Sequence, residues 1–248
     1  MSLKSILVPC KQCIDYNVAI QIKPDGSGVN TDQVKMSMNP FDAIAVEAAI
    51  QMHESGQANE VCLIHIGPKH HEPMLRYGLA LGAHRAIHVI TDTMPEPFNT
   101  ADILAYFAKS FDLVLMGKLA IDGDHSQVGG LLAGMLNWPQ ATCASKITLK
   151  KQEVIVCCEV EYGLQEVKLT LPAVITTDLR LNEPRYASLP NIMRAKQKPI
   201  DEISLTDIPL NLNTQTTILK TEAPKKRQAG TITTDVARFF DLLKEQGL

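Results

Sequence analysis

Between residues 60 and 136 the chain alternates short apolar runs with segments of helical period, and this rhythm constrains the fold more than any other feature. Strand-like runs at 60–66, 85–91 and 113–116 are separated by helical stretches at 71–81 and 100–109, and another helix is predicted at 126–136. Strands joined by about ten helical residues pair in parallel through right-handed crossovers. Ser5 to Cys10 (SILVPC) reads as an earlier buried strand of the same kind. A parallel sheet is covered on both faces, and the composition agrees: 45% hydrophobic residues but only 5% aromatic, with one Trp. An Ala, Val, Ile and Leu interior suits helices packed on such a sheet.

The flanking segments follow other rules. Residues 19–23 and 29–30 flank Pro24-Asp25-Gly26-Ser27-Gly28, which predicts a two-stranded excursion. Asn39, Pro40 and Asp42 mark a helix start, with a cap, a proline at the first position and an anion three residues after the cap. That helix continues to Met52 with Ile44, Ala45, Ala48, Ala49 and Met52 on one face. Runs at 145–149, 153–161 and 165–171, around Lys150-Lys151-Gln152 and Tyr162-Gly163-Leu164, predict an antiparallel meander leading to a buried strand at 173–176. From Leu179 the periodicity fades until a helix at 233–244. The 248 residues therefore divide into an α/β domain at 1–178 and an extended C-terminal arm at 179–248.

Charge excludes some functions. With 24 Lys+Arg against 27 Asp+Glu, the net charge of −3 argues against a general nucleic-acid binder. No apolar run reaches the roughly 18 residues of a membrane span, so no membrane insertion is expected. Met1-Ser2-Leu3-Lys4 leads directly into the first strand, which leaves no room for a targeting peptide. The six cysteines are expected to be reduced. Cys157 and Cys158 are adjacent in a strand and point to opposite faces.

Candidate chemistry is sparse. Cys10-Lys11-Gln12-Cys13 has dithiol spacing, but no helix start lowers the thiol pKa and Asp15 opposes a thiolate, so a redox role is disfavoured. Gly117-Lys118 stands at the beginning of its glycine-flanked loop, the reverse of the Walker order. Asp124-His125-Ser126-Gln127-Val128-Gly129-Gly130 follows a parallel strand and opens a helix, where free N–H groups attract a phosphate. The alternative is a glycine-rich helix start that only packs against a strand. His84 and His88 are four apart but straddle a strand start, which separates them too far for shared metal ligation. His70-His71 falls in a turn and is expected to be solvated. No catalytic triad or acid–base set is present. Leu189, Ile192 and Met193 are apolar within a polar loop near Arg185, Arg194, Lys196 and Lys198. That loop is either a docking surface or a segment folded onto its own domain.

Several blocks resemble the β subunit of electron transfer flavoprotein. They are Ile14-Asp15-Tyr16, Ile22-Lys23-Pro24-Asp25, Val34-Lys35-Met36-Ser37-Met38-Asn39-Pro40-Phe41, Gly117-Lys118-Leu119-Ala120-Ile121-Asp122, Trp138-Pro139-Gln140, Leu171-Pro172-Ala173-Val174 and residues 179–193. The resemblance spans residues 5–198 with the blocks in the same order, while the tail matches only in general character. It implies a mostly parallel α/β fold of the adenine-nucleotide-binding type and a heterodimer whose α subunit holds most of a redox-active FAD. It also implies a structural AMP, contacted by Pro9, Asn39, Pro40, Phe41, Ile66, Asp122, Gln127, Val128 and Gly129. Tyr16 would approach the flavin from across the subunit interface. Leu189, with Ile192 and Met193 beside it, would anchor partner dehydrogenases.

The implied role is an electron carrier, not an enzyme. It would take electrons from acyl-CoA-type dehydrogenases, as in fatty acid oxidation, and pass them to a membrane quinone reductase. The implied setting is bacterial cytoplasm, or the mitochondrial matrix in a eukaryote. Bifurcating relatives hold a second FAD in place of AMP, and a stand-alone adenine-nucleotide-binding protein is the alternative class. Two departures stand out. The family's Gln-Thr-Gly-Gln is Gln127-Val128-Gly129-Gly130 here, which removes a hydroxyl and an amide but keeps the backbone N–H groups. Its common Val-Lys-Arg-Val is Cys10-Lys11-Gln12-Cys13, which marks these cysteines as incidental.

Overall fold

The computed structural model describes residues 3–150, 153–212, 216–225, 229–245 and 247. The tip of the expected Lys150-Lys151-Gln152 turn, Lys151 and Gln152, lies outside them. Along the chain the elements are β1 (Leu3–Pro9), β2 (Gln12–Ile14), β3 (Met36–Met38), α1 (Pro40–Glu54), β4 (Ala58–Gly67), α2 (Glu72–Leu81), β5 (Arg85–Ile90) and α3 (Pro97–Ala108). They continue as β6 (Leu113–Gly117), α4 (Val128–Leu136), β7 (Gln140–Lys150), β8 (Glu153–Val160), β9 (Gly163–Thr170), β10 (Ala173–Thr177), α5 (Leu189–Ala195), β11 (Ile200–Ser204) and α6 (Val236–Glu245).

Among the described residues, nine strands form one sheet in the order β11-β5-β4-β1-β6-β10-β7-β8-β9. Every pairing from β11 to β7 is parallel, and β7-β8 and β8-β9 are antiparallel. The expected α/β fold with an antiparallel meander is therefore observed. Consecutive residues of β1 face opposite layers, as strand alternation requires. Ile6 and Val8 pack with Ala45, Ala49, Leu75 and Leu79 under α1 and α2. Leu7 packs with Ile103, Leu104 and Leu132 under α3 and α4. A core of short aliphatic side chains lets these helices sit close to the strands.

Several local expectations change. The Asn39 side chain makes no cap bond to its own helix; it is spent on another loop, described below. Helix α3 begins at Pro97, with proline in its first turn, rather than at Asn99-Thr100. The excursion at 19–30 is reduced to a single bridge, Ile22 to Val29. Helix α1 buries Val46, Glu47 and Ile50 as well as the expected face. Covered on more than one side, it departs from the one-faced amphipathic pattern.

The largest difference lies beyond Leu179, where no regular element was predicted before the final helix. Strand β11 pairs in register with β5, Ile200 opposite Ala86 through Ser204 opposite Ile90. Its pairing partner lies more than a hundred residues upstream, so nothing local announces it. The short helix α5 is opened by Ser188, whose hydroxyl accepts the Asn191 N–H.

By compactness the chain has two units, Met1–Ala19 with Thr31–Thr217, and Ile20–Asn30 with Ile218–Leu248. In the second, the Thr221 N–H donates to the Gly26 carbonyl at 2.9 Å. The same unit holds α6, which buries no residue and leaves Val236, Phe239 and Phe240 exposed.

Candidate functional site: the crevice at the switch point of the sheet

From β1 the chain moves through α1 to β4 on one side, and it later returns through α3 to β6 on the other side of β1. The β1–β6 boundary is thus a topological switch point, where open parallel sheets leave a crevice beyond their carboxyl ends. Pro9, Ile66 and Gly117 lie at the carboxyl ends of β1, β4 and β6. Asn39, Pro40 and Phe41 open α1 on that edge, and Gln127, Val128 and Gly129 open α4.

Polar contacts tie these segments together. The Asn39 side chain donates to the Leu119 carbonyl at 2.8 Å and accepts the Ile121 N–H at 3.2 Å. Lys11 pairs with Asp122 at 2.6 Å. Lys118 pairs with Asp178 at 2.6 Å, and its ammonium lies 5.3 Å from the centre of the Phe41 ring. The Thr177 hydroxyl donates to the Phe41 carbonyl at 3.1 Å. Asp42, in the first turn of α1, accepts the Lys11 N–H at 2.8 Å and the Gly117 N–H at 3.1 Å.

Close approach explains two glycines. A Cβ at Gly117 would meet the Asp42 carboxylate, and would stand 2.7 Å from the Phe41 Cβ. A Cβ at Gly129 would run into the Thr176 methyl. The loop before α4 holds Asp124 and Ser126 at φ 51° and 53°, the left-handed region that non-glycine residues occupy at a cost of about 1 kcal/mol or more. The first intrahelical bond of α4 runs from the Leu131 N–H to the Gln127 carbonyl. The preceding N–H groups are those a helix start offers to an outside acceptor.

Burial sets the ionisation of the edge. It pushes Cys10 well up and Cys13 to about 12, with the Asp42 charge adding to both and Asp122 adding to Cys13. These thiols are protonated, and the opposing carboxylates are Asp42 and Asp122, not the Asp15 read from the sequence. His71 is buried rather than solvated. His65 donates from Nδ1 to the Cys10 carbonyl at 2.8 Å, so its Nε2 accepts from His71 Nδ1 at 2.9 Å. Burial, reinforced by neighbouring histidines, holds His65 down to about 3 and His71 to about 4. Among the described residues, no group of three or more His, Cys, Asp and Glu could hold a metal ion.

The remaining predicted positions stand on other elements. Tyr16 follows β2 and is 72% exposed. Leu189, Ile192 and Met193 are 79%, 38% and 62% exposed on α5. That helix ends against α2, where Arg76 donates to the Ala195 and Lys198 carbonyls. Of the four bases read around this loop, Arg185 and Lys198 are consumed as anchors, by Glu47 and Glu54 and by the Leu79 and Ala83 carbonyls. Arg194 and Lys196 stay exposed. Sequence reasoning saw Asp42 only as a helix-start anion and did not single out Asp178. Their partners lie 31 to 75 residues away, beyond any local signal.

A parallel sheet with a switch point and helices on both faces defines a doubly wound α/β domain. The chain belongs to the electron transfer flavoprotein family. The family model described as "Electron transfer flavoprotein domain" matches residues 27–208. The chain is 49% identical over 243 residues to the electron transfer flavoprotein subunit beta of Bradyrhizobium diazoefficiens, covering 97% of this chain and 98% of that protein. It is 47% identical over 247 residues to the mitochondrial subunit beta of Oryza sativa subsp. japonica, covering 97% and 98%. To the Homo sapiens subunit beta it is 45% identical over 248 residues, covering 98% and 97%.

Proposed function

We propose that this chain is the β half of a heterodimeric electron carrier. Its switch-point crevice takes AMP, and its Tyr16 completes the flavin environment of an FAD held mainly by an α subunit. The flavin, when bound, supplies the redox chemistry. This chain's residues bind, orient and dock, and none acts as a catalyst.

The observation that carries the reading is the convergence of Pro9, Asn39, Pro40, Phe41, Ile66, Asp122, Gln127, Val128 and Gly129 on one edge of the sheet. The residues present fit an adenine nucleotide. Gly117 and Gly129 let Asp42, Phe41 and Thr176 pack closely at the crevice edge, and the α4 start presents N–H groups even though Val128 and Gly130 bring no side-chain donor.

Leu189, Ile192 and Met193, exposed on a loop anchored at both ends, would engage acyl-CoA-type dehydrogenases, with a membrane quinone reductase as electron acceptor. The proposed functional division is a nucleotide-binding region at 1–178 and a partner-directed region at 179–248, the latter lending strand β11 to the edge of the sheet. The setting is bacterial cytoplasm or the mitochondrial matrix.

Co-expression with an electron transfer flavoprotein α subunit is expected to yield a yellow heterodimer with a flavin spectrum and one AMP released on denaturation. A colourless chain that never associates overturns the carrier role. Release of a second FAD in place of AMP would assign the chain to the bifurcating type.

A further inference from the structure

Asp42 is 6% exposed, yet its carboxylate makes no use of the solvent-facing position normal for an acid in a first helical turn. One oxygen takes the Lys11 N–H, just past the end of β1, and the other takes the Gly117 N–H, at the end of β6. These are the two strands that flank the switch point. Gly117 has no space for a side chain because Asp42 and Phe41 fill it.

We propose that Asp42 is the positioning residue of the crevice, its two carboxylate oxygens holding the ends of β1 and β6 at the separation that the nucleotide requires. This rests on the reading that the crevice takes an adenine nucleotide.

The ionised carboxylate offers two strong, charge-assisted acceptors to the two N–H groups; protonation leaves one carbonyl acceptor and a hydroxyl oxygen that accepts only weakly and carries a proton needing an acceptor of its own. Burial pushes Asp42 up to about 7, against the bonds from Lys11, Asn39 and Gly117 that hold it down. The clasp therefore changes state near neutrality. The groups around it are neutral or paired with an opposite charge. From the segment after β1, the Cys10 and Cys13 thiols are pushed up by burial and stay neutral, and the Lys11 ammonium is paired with Asp122. From α1 comes the uncharged Asn39, and beside Gly117 the Lys118 ammonium is paired with Asp178. His65, on β4, is held neutral.

The test uses the full chain co-expressed with an α subunit, stripped of nucleotide and titrated with AMP at about pH 6 and about pH 8. Wild type is expected to bind on the order of tenfold more tightly at the higher pH. Asp42→Asn, which keeps one acceptor, should bind roughly tenfold more weakly there and lose most of the dependence, and Asp42→Ala should bind more weakly still. The second ionisation of AMP, near pH ~6, affects all three proteins alike and cancels in their ratios.

Amide hydrogen exchange at Lys11 and Gly117 gives a readout that needs no nucleotide. Both amides should exchange faster in Asp42→Asn, and faster in wild type at the lower pH beyond the intrinsic rate. Unchanged affinity and pH profile in Asp42→Asn, affinity that falls as pH rises, or equal protection of the two amides overturns the proposal. If neither variant folds, the wild-type exchange and pH profile decide it. Wild type that takes up no AMP at either pH, with the amides behaving as expected, refutes the nucleotide reading and leaves the clasp standing.

Discussion

The guanidinium of Arg185 closes on the carboxylate of Glu47, Nε to Oε2 at 2.8 Å and Nη2 to Oε1 at 3.0 Å, across 138 residues of sequence. The Arg185 N–H adds a third bond to the same carboxylate, and Nη1 reaches Glu54 at 2.5 Å. A planar fork against a carboxylate is the strongest common form of ion pair. Here it fixes the base of the loop that carries Leu189.

Arg185→Ala is expected to lower stability by about 2 kcal/mol, because it leaves the buried Glu47 without its cation. The loss falls short of the ~3–5 kcal/mol of a fully buried pair, since Arg185 is partly solvated. Urea unfolding of the variant measures it. A change within about 0.5 kcal/mol would show that the pair does not hold the loop.

Leu189→Ala touches an exposed side chain and should leave unfolding within about 0.5 kcal/mol of the parent. Its effect should fall on electron transfer from an acyl-CoA-type dehydrogenase, slowed at least tenfold if Leu189 anchors the partner as binding hot spots do. Flavin content should not change. Equal transfer rates in variant and parent would remove the docking role.

Acid stability should follow the buried histidines. Unfolded histidine titrates near ~6.5, whereas His65 and His71 are held to about 3 and about 4. Their contribution is complete above the unfolded value and is lost as pH falls, at up to ~1.4 kcal/mol per pH unit for each. Asp42 runs the other way, since its pKa is raised from 3.8 to about 7 and its contribution grows as pH falls through that window. Two histidines outweigh one aspartate, so the urea midpoint should drop between about pH 7 and about pH 5. In His71→Asn the drop should shrink. A midpoint that does not move with pH in wild type would contradict this balance.

Gly129→Ala and Gly130→Ala form a matched pair. At Gly129 the new methyl meets Thr176, with Met116 Sδ 3.5 Å away, and overpacking costs about 1–3 kcal/mol. At Gly130 the nearest atom is Gln140 Oε1 at 3.7 Å, an ordinary contact, so that variant should be tolerated. Thermal melts of both proteins test the contrast, and similar losses would show that the seating of α4 on β10 does not depend on the glycine.

The strand–helix rhythm, the start of α1 and the meander were legible because burial of one face repeats with a fixed period along the chain. Pro9, Asn39, Phe41 and Gly129 are expected nucleotide contacts only through the resemblance, and the fold sets them on one edge of the sheet. Strand β11 was not. A five-residue edge strand, of which only Ile200, Ile203 and Ser204 are partly buried, has too weak an alternation to separate from a loop. A turn predicts a solvated His71; its burial comes from packing on His65, six residues back on the preceding strand β4.

By itself the sequence determined which segments become strands and helices, which glycines open loops, and which family the blocks belong to. Those properties depend on residues within a few positions of one another. Only the tertiary structure decided that Asp42 would clasp Lys11 and Gly117, that Arg185 would find Glu47, and that β11 would complete the edge beside β5. Each of these joins distant positions, and such a contact exists only after the strand order has brought the two ends together. The burial that then raises Asp42 and depresses His65 is a property of the assembled layers, not of either residue's neighbours in the chain.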